Sequence, residues 1–113
     1  MHELSVAQSL VKIAAEHAVR NGSSRVLSVE LLLGSLAGVQ ADSLEFCFPM
    51  AARDTPCEGA LLHITFITAV GRCAGCGTSS EVTHLMDRCP QCDGWPLEVK
   101  GGSELMLKSV EVT

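Results

Sequence analysis

The chain has 113 residues, a formal net charge of −5, 47% hydrophobic residues, three Phe, one Trp and no Tyr. That length accommodates one small hydrophobic core, and eight Lys+Arg against thirteen Asp+Glu, with few aromatics, exclude the basic, stacking surface on which nucleic-acid modules rely. No run of about 20 apolar residues is present, so a membrane-spanning helix is excluded too.

At the amino terminus, Met1-His2-Glu3-Leu4-Ser5 carries no basic n-region, and the apolar positions after it are periodic rather than continuous. A signal peptide is therefore not expected, and a cytoplasmic chain is. Leu4, Ala7, Leu10, Val11, Ala14 and Ala18 recur at spacings of three and four, with Gln8, Lys12, Glu16 and Arg20 off that stripe. This predicts an amphipathic helix. Asn21-Gly22 supplies its left-handed stop.

Leu27, Val29, Leu31 and Leu33 alternate with Ser28 and Glu30, which predicts a first strand over 25–33. Asp42, with Glu45 three residues on, reads as the N-cap of a second helix whose Leu44, Cys47, Phe48 and Ala51 share a face. Pro49 predicts a kink or early end in that helix, because it removes a backbone donor and crowds the Glu45 carbonyl. Residues 60–70 alternate as one long strand, with Leu62, Ile64 and Phe66 opposite His63, Thr65 and Ile67. Residues 104–112 form a last strand, in which the apolar face moves from Leu105 and Leu107 to Val110 and Val112. Such a slip predicts a bulge near Lys108.

Between those last two strands lie Cys73-Ala-Gly-Cys76-Gly77 and Cys89-Pro90-Gln-Cys92-Asp-Gly94, separated by twelve residues. Two Cys-x-x-Cys knuckles at this spacing point to a tetrahedral four-thiolate zinc site. Gly77 and Gly94 fit positions that need positive φ or close backbone approach, and Pro90 fits a turn that needs no amide donor. A rubredoxin-type iron site, redox dithiols and disulfides are the alternatives. Disulfides need an oxidising compartment, which nothing in the sequence supplies.

The expected architecture is therefore α+β, a small sheet of about three strands covered by two helices, with an inserted zinc-ribbon-like four-cysteine lobe. Residues 1–70 plus 101–113 would form the core domain, and residues 71–100 the zinc-binding lobe. Metal binding itself would fold a lobe too small to bury a core.

His2 and Glu3 follow the initiator methionine directly. A free α-amine, an imidazole at position two and successive backbone amides can chelate a metal that favours square-planar nitrogen ligation, nickel(II) or copper(II). A histidine near a chain end is also commonly just solvated, and the residues alone leave both readings open.

The combination is more specific. Met1-His2-Glu3-Leu4-Ser5, the strand and glycine loop from Val29 to Val39, both cysteine pairs and the closing segment from Gly102 to Val112 together resemble the HypA/HybF family of hydrogenase nickel-maturation proteins. The resemblance spans the whole chain. It implies a nickel metallochaperone that passes Ni²⁺, with a HypB-like GTPase, to the large subunit of a [NiFe]-hydrogenase. It further implies nickel at Met1, His2 and Glu3, and zinc at Cys73, Cys76, Cys89 and Cys92. Pro49 and the extra thiols Cys47 and Cys57 depart from the family pattern.

Among the remaining candidates, Cys47 reads as a small core residue, and Cys57, after Pro56, as a loop thiol without a role or with a reactive one. His17 reads as a half-buried packing residue and His63 as a solvated one. His84, between the knuckles, is either an exposed ribbon histidine or a neighbour of the ligand sulfurs. An enzyme is not expected, because a closed four-thiolate site leaves no position for water or substrate. The competing reading is a zinc-ribbon interaction adaptor with no nickel role. The sequence is compatible with a monomer or a homodimer.

Overall fold

The computed structural model describes residues 2–113, so the nickel ligand expected at Met1 lies outside the described residues. The elements follow in the order α1 (Glu3–Arg20), β1 (Val26–Gly34), α2 (Ala41–Ala52), β2 (Leu61–Ile67), β3 (Ala69–Cys73), β4 (Ser79–Val82), β5 (Leu97–Lys100) and β6 (Leu105–Val112). They form two three-stranded sheets, ordered β2-β1-β6 and β4-β3-β5. The expected α+β class with two helices is found, and the cysteine lobe has a sheet of its own.

The first of two compact units comprises the residues to Leu31, Val39–Thr65 and Met106–Thr113. Its core is the stripe read from the sequence without Leu4, which is exposed at the open end of α1: Ala7, Leu10, Val11, Ala14 and Ala18 of α1 are buried with Leu44, Phe48 and Ala52 of α2 and Val26, Val29 and Leu31 of β1. Alanines dominate the α1 stripe, which lets the second helix approach closely. The α1 C-terminus closes in a Schellman motif, with Ser23 N donating to Ala18 O at 2.8 Å and Gly22 N to Val19 O at 3.0 Å. Gly22 takes φ +70° there. On the sheet, Glu30 ties all three strands together, accepting from Thr65 Oγ1 at 3.1 Å and lying 3.7 Å from Lys108 Nζ.

Two expectations change here, and the one at Pro49 narrows. The second helix runs three residues past Pro49, to Ala52. Pro49 and Glu45 are both exposed, so the Glu45 carbonyl that loses its donor can turn to water instead of ending the helix. Asp42 is not the N-cap. The helix starts at Ala41 with Gln40 as N-cap and no side-chain cap bond from that residue. The long strand over 60–70 is two strands, β2 and β3, because the backbone changes partners at Thr68: Ser35 N donates to Ile67 O at 2.8 Å, and Ala69 N donates to Ser35 Oγ at 3.0 Å. The slip in β6 is present. Leu107, Val110 and Val112 pack on the core while Lys108 and Ser109 in between are both exposed.

The second unit comprises Leu32–Gly38 and Phe66–Leu105. β3 is its central strand, antiparallel to both neighbours, with Arg72 opposite Ser79 on one side and Glu98 on the other. Ala69, Gly71 and Cys73 point to its buried side. A Cβ on Gly71 would stand 2.6 Å from Val82 Cγ2 and 3.0 Å from Leu97 Cδ1, so those two side chains fill the space a larger residue would need. Backbones also meet without intervening side chains at Gly34 and Gly102. A Cβ on Gly34 would collide with the Gly102 carbonyl, and one on Gly102 would collide with Ala69 Cβ.

Candidate metal centre

β3 delivers Cys73 directly into the first knuckle. Within it Gly77 N donates to Cys73 O at 2.8 Å and Cys73 N to Thr78 O at 2.9 Å. The second knuckle repeats the pattern, with Asp93 N to Cys89 O at 2.8 Å and Cys89 N to Gly94 O at 2.9 Å. Both turns require a left-handed residue four places after their first cysteine: Gly77 at φ +76° and Asp93 at φ +61°. Gly94 serves by its lack of a side chain, since a Cβ there would lie 3.1 Å from Cys73 Sγ and 3.2 Å from Cys92 Sγ.

The four sulfurs of Cys73, Cys76, Cys89 and Cys92 lie within 4.8 Å of one another. Two cross-knuckle pairs, Cys73–Cys92 and Cys76–Cys89, stand at 3.5 Å. A tetrahedron with metal–sulfur bonds of about 2.3 Å has edges of about 3.8 Å, whereas a disulfide brings its sulfurs to about 2.05 Å. The cluster thus has the spacing and donor chemistry of a four-thiolate metal site. Each knuckle contributes one buried sulfur residue, Cys73 or Cys89, and one exposed, Cys76 or Cys92.

Thiolate character is unevenly shared. Cys76 is pulled down to about 6, first by its side-chain hydrogen bond with Thr78, whose Oγ1 is 3.2 Å from the sulfur, then by the Thr78 amide. Cys73 is lowered by the Cys76 amide. At Cys92 the Gly94 amide favours the thiolate, but the sulfurs of Cys73, Cys76 and Cys89 around it push it up to about 12. Four thiolates cannot coexist at this spacing without a cation among them.

At the chain's other candidate site, His2 is the exposed N-cap residue of α1, with no side-chain cap bond. Its carbonyl accepts the first helical bond, from Val6 N at 2.9 Å. The amides of His2 and Glu3 therefore precede the helical ladder. Sequence reasoning missed Gln40. Its backbone N donates to Glu3 Oε2 at 3.0 Å, and this bond is the leading cause of a Glu3 carboxyl held below its ordinary value. A backbone donor 37 residues away leaves no mark on residue type.

Cys57 is fully buried in the core, where desolvation raises its thiol and its Sγ lies 3.6 Å from Val11 O. Cys47 is half-buried against the same core, as its helix face predicts. His17 is exposed, not half-buried, and His63 is exposed as expected. His84 stands with its side chain 82% exposed, bonded to Thr83 Oγ1 at 3.1 Å and 3.7 Å from Asp87 Oδ1. Asp87 holds this turn by accepting from Thr83 N at 2.9 Å and His84 N at 3.2 Å.

Comparison with known proteins adds a family. The family model described as hydrogenase/urease nickel incorporation, metallochaperone, HypA matches residues 1–112. The hydrogenase maturation factor HypA of Chlorobaculum parvum is 41% identical over 112 residues, covering 99% of each chain. That of Geobacter metallireducens is 43% identical with the same coverage. In solved structures, the solution structure of the Ni metallochaperone HypA from Helicobacter pylori superposes with a TM-score of 0.67, covering 99% of this chain and 97% of that one. At 24% identity this likeness concerns the fold.

Proposed function

Because this chain belongs to the HypA family of nickel-incorporation metallochaperones, serving hydrogenase maturation and moving a metal ion rather than converting a substrate, we propose that it takes up Ni²⁺ at its amino terminus and delivers it to a [NiFe]-hydrogenase large subunit. Delivery proceeds in the cytoplasm with a HypB-like GTPase. The nickel head comprises Met1, His2 and Glu3 within the core domain, residues 1–70 plus 101–113. The zinc lobe, residues 71–100, holds a structural Zn²⁺ through Cys73, Cys76, Cys89 and Cys92. Zinc supplies no reaction there; it neutralises the thiolates and fixes the two knuckles.

The observation that carries this reading is the head of α1, in a chain matched to this family over its length. His2 is exposed, and the His2 and Glu3 amides stand ahead of the hydrogen-bonded ladder. An amide engaged in that ladder would have to break a bond before giving up its proton to a metal. These two do not. The α-amine, with a pKa of about 7.7–8.0, yields its proton near neutral pH, and the His2 imidazole anchors the ion while the amides deprotonate. Two amidates cancel the ion's charge, which removes its conflict with the positive end of the helix dipole.

Nickel titration of three proteins tests this: the untagged chain, a chain extended by a short N-terminal tag, and His2→Ala. The untagged chain is expected to bind one nickel with the visible ligand-field band of a four-coordinate planar, diamagnetic centre. The other two lose both band and binding heat. Equal affinities in all three would remove the N-terminal site, and a plain zinc adaptor would then be the better reading.

A further inference from the structure

The two knuckles repeat each other position by position. Residues 72–78 and 88–94 both run Arg-Cys-x-x-Cys, then a left-handed residue, then one whose carbonyl accepts the amide of the first cysteine. A metal ion accounts for the cysteines and the turn, but not for an arginine at the head of each. Both arginines are exposed, and both fold along their own knuckle to the left-handed residue five places on. Arg88 Nη1 donates to Asp93 O at 3.4 Å, and Arg72 Nη2 stands 3.9 Å from the point that a Cβ on Gly77 would occupy. Among the described residues neither guanidinium is in an ion pair. That holds even for Arg72, which has Glu98 directly opposite it on β5.

Charge balance gives these positions a purpose. Four thiolates around one Zn²⁺ leave two negative charges on the centre, and two of the four cysteines, Cys76 and Cys92, are exposed. Residues 71–100 contain three cations, Arg72, Arg88 and Lys100, and two of the three head the knuckles. We propose that Arg72 and Arg88 are a matched pair of counter-cations, one to each knuckle, that strengthen zinc binding by balancing the dianionic centre. The proposal rests on the reading of the lobe as a four-thiolate zinc site. Both arginines are positioning residues, since they act on the ion through the sulfurs that hold it.

Arginine suits this task because its charge is permanent and its planar fork carries several donors. One N–H of Arg88 is engaged by the Asp93 carbonyl, which fixes the side chain along the turn and leaves the remaining donors free. The carboxylates of the same segment, Glu81, Asp87, Asp93 and Glu98, act in the opposite direction. Removing either arginine therefore leaves the dianion in a more anionic neighbourhood. Exposure sets the size of the effect, because water and salt screen a surface cation.

Zinc affinity of the full chain, measured by competition with a chromogenic chelator at low salt and at about 1 M salt, tests the proposal. Arg72→Gln and Arg88→Gln are each expected to weaken binding by about fivefold at low salt, and the double variant by about the product of the two. At about 1 M salt, where the screening length falls to about 3 Å, all three should converge on the wild type. Arg72→Lys and Arg88→Lys keep the charge and are expected to bind within about twofold of wild type at low salt. Circular dichroism should be the same throughout, since both side chains are exposed. Glutamine variants that bind zinc as the wild type does at low salt overturn the proposal. So does a loss that persists at high salt or that lysine does not recover, which would make the arginines mechanical props of their turns. A wild-type chain that binds no zinc would overturn the four-thiolate reading, and this proposal with it.

Discussion

The Glu3 carboxylate accepts a hydrogen bond from the Gln40 backbone amide at 3.0 Å, joining the first residue of α1 to the N-cap residue of α2. Gln40 brings no side-chain cap bond of its own; beside Asp42 in the first turn of α2, the start of that helix receives a second anion from the other helix. Glu3 thus has two separable parts: a carboxylate that ties two helices and a backbone nitrogen that the nickel proposal uses.

Substitutions at Glu3 should separate those parts. Glu3→Gln keeps an oxygen acceptor and the amide, and is expected to bind nickel nearly as well as wild type. Glu3→Pro has no amide proton to lose and is expected not to bind. Glu3→Ala is expected to free the Gln40 amide, read as faster hydrogen exchange at that one NMR resonance. The folded-state carboxyl lies below its ordinary value of 4.5. Its contribution to stability is therefore complete above about pH 4.5 and is lost as pH falls through the depressed value. Gln40 protection should fall over the same acidic window and be unchanged near neutrality.

Metal analysis of the purified chain is expected to find about one zinc. Cys73→Ala or Cys92→Ala is expected to lose it and unfold the cysteine lobe while circular dichroism retains the helices of the first unit. The sole Trp, Trp95, is three residues from Cys92, so its fluorescence should report chelation of the ion. A variant that kept its zinc and its Trp95 spectrum would contradict the four-thiolate site.

Zinc binding should release protons, but fewer than one per sulfur at pH 7. Cys76, pulled down to about 6, is already mostly thiolate there, whereas Cys92, pushed up to about 12, must give its proton to the solvent. Affinity accordingly rises with pH, because ligand thiols are lost to protonation on the acid side. Calorimetry in buffers of different ionisation enthalpy counts the protons. Four released per ion would mean that Cys76 is not pre-ionised.

The two knuckles predict opposite responses to glycine. Asp93→Gly is expected to stabilise the lobe, by up to about 1–2 kcal/mol, by removing a left-handed non-glycine residue. Gly77→Ala creates the strain that Asp93 carries, and Gly94→Ala crowds two ligand sulfurs; both are expected to lower zinc affinity. Competition against a chromogenic chelator ranks all three.

Opposite faces of one turn of α2 offer a contrast in burial. Phe48→Ala is expected to cost about 3–5 kcal/mol in chemical denaturation, since Phe48 is fully enclosed in the core. Phe46→Ala, on the outer face, should change monomer stability by about 0.5 kcal/mol at most.

Periodic burial made the first unit legible. The α1 stripe and the slip in β6 both follow from one face meeting a core, and the cysteine spacing carried the gathering of the four thiols. β4 and β5 were not legible. At four residues each, Ser79–Val82 and Leu97–Lys100 are too short for an alternation to stand out, and they are set by pairing with β3 rather than by their own residues. The break at Thr68 was hidden for a similar reason. It depends on the Ser35 hydroxyl, more than thirty residues away, accepting the amide of Ala69. Pro49 did not by itself set where α2 stops, because the helix continues to Ala52.

The meeting of Gly34 with Gly102, and of Gly102 with Ala69, has a consequence for how this sequence can drift. Ordinary core positions trade volume with their neighbours, so a loss at one can be rescued by a gain at another. Here there is no side chain to trade. Gly34 and Gly102 are already minimal, and any added carbon meets backbone or the β-carbon of Ala69. A saturation library should therefore show a trio of intolerant positions, far apart in the chain, with no second-site suppressors among them. Their signature would look like that of a functional site, although what they protect is only the distance between two stretches of main chain.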